Sequence, residues 1–296
     1  MSGAVLVAGS ANLDFVVRAA HVPAPGETVL GYDFATYPGG KGANQAVACA
    51  HAGGAPTRLL AAFGDDGHGA AIEASLRDAG VRLHALRVRG ATGTAFICVS
   101  DAGENAITVA PGANAALRPE HLPALEGVSH LLLQLETPLP TVTAWARAAR
   151  AAGVQVVLNA APAQRLPAEL LAAVDVLVVN EGELAVLTGV DGDVDAALDR
   201  LDVPNVIVTL GARGCCARLN GRRWRQDAFA VVAVDTTAAG DTFCGTLAAA
   251  LAAGEDGAAA LRRASAASAL ACTRAGAQTS VPSRAEVDAL LAAATA

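Results

Sequence analysis

The chain has 296 residues, of which 53% are hydrophobic and 17% charged, and a formal net charge of −7. That balance excludes a disordered chain, which needs low hydrophobicity and high net charge, and a general nucleic-acid surface, which needs a basic face. It leaves room for an anionic small substrate, because local dipoles and single cations bind anions whatever the total charge.

In chain order, residues 4–8 read as a short buried strand. Two segments of strand character follow, 14–17 and 28–36, separated by Pro23, Pro25 and Gly26. Gly39-Gly40 leads into a helix over 44–52 that Gly53-Gly54 stops. Residues 58–63 read as a strand, 67–79 as a helix ending at Gly80, and 94–100 with 106–109 as a hairpin around 101–103. Strands and helices then alternate, with strands at 130–135, 154–159, 174–179 and 205–210 and helices at 139–152 and 181–188. Residues 215–225 read as a hairpin with Asn220-Gly221 at its tip, and three helices close the chain at 241–253, 257–274 and 284–294. The alternation predicts an α/β fold, a doubly wound and mostly parallel sheet with helices on both faces, in a single domain over 1–296. The strand-rich pieces at about 14–36 and 94–110 interrupt it and read as a small β-sheet lid.

Six clusters carry candidate chemistry. VDTTAAGDTFCG (234–245) places Ala239, Gly240 and Asp241 at a helix start. Free N–H groups and the helix dipole bind phosphate there, and small residues let a ligand come close. An aspartate at that spot repels an anion. It makes sense as a base taking a proton from an attacking hydroxyl, while the Ala239 and Gly240 amides hold charge on a transferring phosphoryl group; the alternative is an N-cap. PGGKGANQ (38–45) looks like a P-loop but lacks its first glycine and its Ser/Thr, and Gln45 breaks the dinucleotide fingerprint. Its glycines, Lys41 and Asn44 suit a polyhydroxy ligand, or form a plain glycine turn. Asn12 and Asp14 follow the first strand at a carboxyl edge, where Asp14 can accept two hydrogen bonds from a vicinal diol or make an Asx turn. Glu136 closes LLLQLETP and either faces the same crevice or caps the next helix. Asn180-Glu181-Gly182-Glu183 follows the apolar VDVLVV; its carboxylates either organise Mg²⁺ through water or answer a helix dipole. Thr209 to Gly214 closes another strand with two glycines, either to hug a nucleotide or as a tight turn.

The six histidines show no ligand spacing, and Arg222, Arg223 and Arg225 read as a solvated hairpin face. Phe15, Phe34, Tyr37 and Phe96 read as packing residues, with one or two free to cover a ligand. Cys49, Cys98, Cys215, Cys216, Cys244 and Cys272 include no CxxC pair, which argues against a disulfide framework or zinc site and for reduced thiols in the cytoplasm. The apolar VLVAG near the start follows no basic segment, so no secretory signal is expected, and no strongly apolar run reaches the length of about 18 residues that spans a membrane.

Together GGKGANQAVA (39–48), PGANAAL (111–117), LQLETPL (133–139), VTLGARG (208–214), VDTTAAGDTF (234–243) and GAQTSVP (276–282) resemble the ribokinase-like carbohydrate kinases over nearly the whole chain. The early glycine cluster and the late Gly-Asp turn, in this order, are that family's two signatures. The resemblance implies transfer of the γ-phosphoryl group of ATP to the 5-hydroxyl of D-ribose; a kinase for deoxyribose, fructose or a nucleoside is the alternative. It implies Asp241 as base and Gly240 as anion hole, with Asn12, Asp14, Gly40, Lys41, Gly42, Asn44 and Glu136 on the sugar. Asn180 and the turn Thr209, Leu210, Gly211, Ala212, Arg213 and Gly214 match ATP contacts, and Glu183 matches the acid tied to Mg²⁺. Asp235, Thr237, Ala271, Arg274, Gly276 and Ser280 match a loop pair around a monovalent cation, K⁺, held largely by carbonyl oxygens. The resemblance also implies a homodimer through the lid. The chain departs from the family pattern at Ala238, where many members have glycine, and at Ser265, near the adenine, where a familiar member has histidine. A non-catalytic sugar sensor is the reading from another class, and the intact Asp241, Glu183 and Gly240 argue against it.

Overall fold

The computed structural model describes residues 3–294. In chain order run β1 (Ala4–Ala8), β2 (Asn12–Ala19), β3 (Asp33–Gly39), α1 (Lys41–His51), β4 (Thr57–Phe63), α2 (Gly69–Asp78), β5 (Arg82–Arg87), β6 (Gly93–Ser100), β7 (Asn105–Ala110) and β8 (Val128–Leu133). They are followed by α3 (Leu139–Ala151), β9 (Gln155–Asn159), α4 (Ala168–Leu171), β10 (Val176–Asn180), α5 (Glu181–Thr188), α6 (Val194–Asp199), β11 (Asn205–Thr209), β12 (Cys215–Leu219), β13 (Arg222–Gln226), α7 (Ala239–Ala252), α8 (Gly257–Ala271) and α9 (Arg284–Ala293). None of the described helices is long and apolar enough to cross a membrane.

The inner strands carry little that is polar because both their faces are covered, as parallel strands require. Their sheet has nine strands in the order β13-β12-β11-β10-β9-β8-β1-β4-β5. All neighbours from β11 to β5 are parallel, and β12 and β13 are added antiparallel. Side-chain alternation sorts the strands into two layers. Val5, Val7, Leu132, Val157 and Ile207 pack with residues of α1, α7 and α8, while Leu6, Ala8, Leu131, Leu133, Leu158 and Val179 pack with residues of α3 and α5. Each such valine, leucine or isoleucine contributes roughly 1.5–3 kcal/mol on leaving water, so the two layers hold the strand ends in a common line. This is the doubly wound α/β architecture expected.

A separate sheet of four strands has the order β3-β2-β6-β7, with β2 parallel to β6 and the outer pairs antiparallel. One face carries Phe15, Phe34 and Phe96, with the Phe15 ring 6.3 Å from Phe34 and 5.4 Å from Phe96. The other carries Asp14, Val16, Tyr37 and Ile97, which share a cavity with Asp235 and Gly276 of the main body.

Some elements differ from expectation. Residues 28–32 are not strand; β3 begins at Asp33 and runs on to Gly39, and Leu30 is 89% exposed with nothing to cover it. The sequence reading had no place for β5, α4 or α6. β5 is an edge strand with arginines at both ends, and α4 and α6 have four and six residues, too few to show a period. α1 starts at Lys41 rather than 44, with Gly40 (φ 88°) before it. α7 starts at Ala239 rather than Asp241, after Ala238 in the left-handed conformation (φ 56°). A non-glycine residue held there is strained by roughly 1–2 kcal/mol, and such strain gathers at functional sites.

Candidate active site

The polar residues gather at the carboxyl ends of the parallel strands. Ser10 and Asn12 follow β1, Gln134 and Glu136 follow β8, and β9, β10 and β11 end in Asn159, Asn180 and Thr209. Across these ends α1 packs on α7. A Cβ on Gly245 would stand 2.3 Å from the Gln45 carbonyl oxygen and 2.7 Å from the Ala48 Cβ, so glycine permits the approach.

Asp241 is buried in the first turn of α7, and both its oxygens accept hydrogen bonds from α1. Asn44 Nδ2 donates to Oδ2 at 3.0 Å and Gln45 Nε2 to Oδ1 at 2.9 Å. Gln45 Nε2 also donates to Asn159 Oδ1 (3.0 Å), and Gln45 Oε1 accepts from Gln134 Nε2 (2.6 Å). Of the two amides expected to hold phosphoryl charge, Ala239 and Gly240, the first is engaged within the turn. The Ala239 N–H donates to the Thr236 carbonyl at 3.2 Å and the Thr242 N–H to the Ala238 carbonyl at 2.8 Å. The Gly240 and Asp241 N–H groups have no acceptor among the described residues. The turn through Ala238 is what uses up the Ala239 donor.

The expected sugar residues converge. Ser10 Oγ donates to Glu136 Oε2 (2.5 Å), which also accepts the Lys41 N–H (3.1 Å), and the Gly42 N–H donates to Ser10 Oγ (3.2 Å). Asn12 Oδ1 accepts from Asn114 Nδ2 (2.8 Å). A Cβ on Gly40 would lie 2.7 Å from the Asn12 nitrogen, so these two loops touch through bare backbone. Burial, reinforced by the charges of Glu136 and Asp241, pushes the Asp14 carboxyl up to about 7. The Lys41 ammonium is held above its ordinary value by Asp241 first, against desolvation, with Glu136 and Glu183 adding to it.

Among the residues expected to meet a nucleotide, Asn180 and Glu183 form a capping box: the Glu183 N–H donates to Asn180 Oδ1 and the Asn180 N–H to Glu183 Oε2, both at 2.8 Å. Burial raises the Glu183 carboxyl. Glu183, Lys41, Asn180, Thr209, Gly240 and Asp241 line a cavity of about 150 Å³. At Thr209 and Gly240 it meets a cavity of about 450 Å³, lined by Gly211, Ala212, Gly214, Val231 and Ser265 among others. Two members of the expected turn stand apart: Leu210 is buried in the core, and Arg213 is held by both oxygens of Glu181 at 2.6 Å. A third cavity, of about 430 Å³, lies beneath the small sheet against Asp14, Asp235, Thr237 and Gly276.

Asp235 ties the two expected cation loops together. Its Oδ1 accepts the Thr237 N–H and its Oδ2 the Gly276 N–H, both at 2.9 Å. Against desolvation, the Thr237 side chain together with these backbone bonds holds its carboxyl below the usual range. The Arg274 N–H donates to the Ala271 carbonyl at 3.2 Å, while its guanidinium pairs with Glu286 and draws that carboxyl down to about 2. Ser280 is buried, its hydroxyl on the Ala277 carbonyl at 2.8 Å. Sequence reasoning missed Ser10, Gln45, Asn114, Gln134 and Asn159 as members of the site. A signal did exist for two of them: Gln134 and Asn159 are lone amides ending apolar runs, LLLQ and VVLN.

The pfkB family carbohydrate kinases match residues 3–284. A ribokinase of Haemophilus influenzae is 38% identical over 97% of each chain. The crystal structure of a ribokinase from Thermotoga maritima has a TM-score of 0.89 at 37% identity, covering 98% of this chain and 99% of that one. Arabidopsis thaliana ribokinase, solved with ribose and ATP, has a TM-score of 0.89 at 34% identity with the same coverage. With the site at the carboxyl ends of a doubly wound sheet and the family pattern running through nearly all of it, this chain belongs to the pfkB family of carbohydrate kinases.

Proposed function

We propose that the protein transfers the γ-phosphoryl group of ATP to O5 of D-ribose, giving ribose 5-phosphate and ADP. The observation that carries this reading is the Asp241 carboxylate standing beside two N–H groups without a protein acceptor, in a cavity that opens to the nucleotide side at Gly240. Similarity to ribokinases along the whole chain supports ribose as the acceptor.

Ribose occupies the space beneath the small sheet, where Asp14 accepts its hydroxyls and Asn12, Gly40, Lys41, Gly42, Asn44 and Glu136 surround it. The nucleotide lies along Gly211, Ala212, Gly214 and Ser265. Asp241 takes the O5 proton as O5 attacks the γ-phosphorus, and the bond to the bridging oxygen breaks with its electron pair leaving on ADP. Lys41 and the Gly240 and Asp241 amides offset the charge on the transferring group.

Mg²⁺ bound with ATP fits this donor set, since it keeps several waters and the buried Glu183 would offer hard oxygen; there it would neutralise phosphate charge. K⁺ fits the carbonyl oxygens of the 235–237 and 271–280 loops, which the Asp235 carboxylate draws together through the Thr237 and Gly276 N–H groups. Phe34 and Phe96 share one face of the small sheet, and both, like Leu30 and Tyr32 beside it, are more than half exposed; an apolar surface of that kind supports a homodimer through it. The six free cysteines fit a reducing compartment, the cytoplasm.

ADP release measured over ribose, deoxyribose, fructose and nucleosides, with and without K⁺, tests the reading. Ribose is expected to give the highest kcat/KM, raised by K⁺. A higher value on another acceptor would replace ribose, and ADP release independent of any sugar would remove the kinase.

A further inference from the structure

We infer that Gln45 is the positioning residue for the Asp241 carboxylate, the middle link of a buried amide chain that runs from β8 through α1 to α7. The inference rests on Asp241 acting as the base.

Asp241 stands on α7, yet its carboxylate is held by two successive residues of α1. The two donors are not equivalent. Asn44 keeps a buried Oδ1 with no partner and sits among the sugar residues, so a substrate hydroxyl can claim it. Gln45 has both ends of its amide used inside the protein and is 0% exposed, as is Gln134, so its reach is confined to the base and its supports.

Chemistry fixes which way this amide faces. Turned over, Gln45 would set its oxygen against Asp241 Oδ1 and Asn159 Oδ1, and its NH₂ against the NH₂ of Gln134. That makes two acceptor–acceptor contacts and one donor–donor contact where there are now three hydrogen bonds. The carboxylate thus orders the chain, and the chain in return holds the carboxylate. Asn159 is anchored in turn, its Nδ2 donating to the Val178 carbonyl at 3.3 Å. The strand ends of β8 and β9 therefore set the rotation of a side chain on α7.

A neutral amide donor suits this task. It favours the charged carboxylate and cannot take up the proton the base removes. A general base must sit within about 2.6–3.2 Å of the proton it abstracts, and a misplacement of about 1 Å lowers a rate on the order of 10²-fold.

The test uses Gln45→Met, which keeps the length and removes the donor. We expect kcat to fall roughly 10- to 100-fold while KM for ribose and ATP moves less than about threefold. The acidic limb of the kcat–pH profile should move up by about one pH unit, because a hydrogen bond to an anion is lost. Gln134→Met, one link further out, should move the same limb in the same direction by less. Added to Asp241→Asn, Gln45→Met should lower the residual rate by less than about twofold. An unmoved pH limb in folded Gln45→Met overturns the inference, as does an equal fall of kcat in the Asp241→Asn background, which would mark a structural role. If Gln45→Met does not fold, an unmoved limb in Gln134→Met overturns it instead. Wild-type kcat in Asp241→Asn alone would remove the base, and with it the reading on which the inference stands; a dead Asp241→Asn beside an unaffected Gln45→Met removes only the inference.

Discussion

At the amino ends of the nine-stranded sheet lies a cavity of about 680 Å³, lined by His130, Gln155, Asn205, Leu219, Trp224 and Leu247 among others; at the carboxyl ends, around Asp241, the space is about 150 Å³. In the larger one Asn205 and Asp256 find partners within the fold. Asn205 donates to the Asp175 carbonyl at 2.9 Å and accepts the Asn220 N–H at 3.0 Å, and Asp256 caps α8 through the Ala259 N–H at 2.9 Å. Burial pushes the His130 imidazole down, toward its neutral form. In the smaller one Lys41, Glu183 and Asp241 converge beside donors without protein acceptors. What separates the two is the convergence of buried charge, not volume. The asymmetry follows from the winding: β4, β8, β9 and β10 each lead at the carboxyl end into a helix start, directly or through a loop, so backbone donors accumulate at that end.

The largest effect that would break this contrast is at Asp241. Asp241→Asn should lower kcat by about 10²–10⁴-fold with ribose binding little changed, read by steady-state kinetics and calorimetry; near wild-type turnover would place the two ends on one footing. Next, Gly245→Ala forces a methyl to 2.3 Å from the Gln45 carbonyl. Overpacking of that kind destabilises by about 1–3 kcal/mol, and urea unfolding should show it together with a lowered kcat as α1 is pushed from α7.

A pH series sharpens the contrast further. Asp14 titrates at about 7 when folded against 3.8 ordinarily. The folded chain therefore holds a proton that the unfolded chain loses, so its contribution to stability is complete below the unfolded value and is lost as pH rises through about 7. Sugar binding has the opposite sign, because the anion accepts two hydroxyls: KM for ribose should fall over the same rise. Unfolding and kinetic pH profiles that match those of Asp14→Asn would dismiss Asp14 from both roles. The smallest effect is expected at the amino end, where Arg222→Ala should leave stability within about 0.5 kcal/mol and kcat/KM unaltered. A clear kinetic loss there would give the larger cavity a function.

Much of the site was legible before folding. Asp241 beside small residues, the glycines around Lys41, and the acids after β8 and β10 are each local patterns whose chemistry can be argued from neighbours in the chain. The engagement of the Ala239 amide within its turn was not legible, because it depends on Ala238 adopting a left-handed conformation that alanine ordinarily avoids. The edge strand β5 was hidden by its arginines, and residues 28–32 were read as strand on composition although Leu30 and Tyr32 stand exposed.

Alternating apolar runs and helix periods determined the doubly wound architecture by themselves, since a strand buried on both faces can be built from little else. The same holds for the glycine turns and for the position of Asp241 at a helix start. Only the tertiary structure decided that Gln134, Gln45, Asn159 and Asp241 form one hydrogen-bonded chain, and that Asp14 shares its crevice with two other carboxylates. Those distances are set by strand order and by the close crossing of α1 on α7, which no stretch of sequence contains.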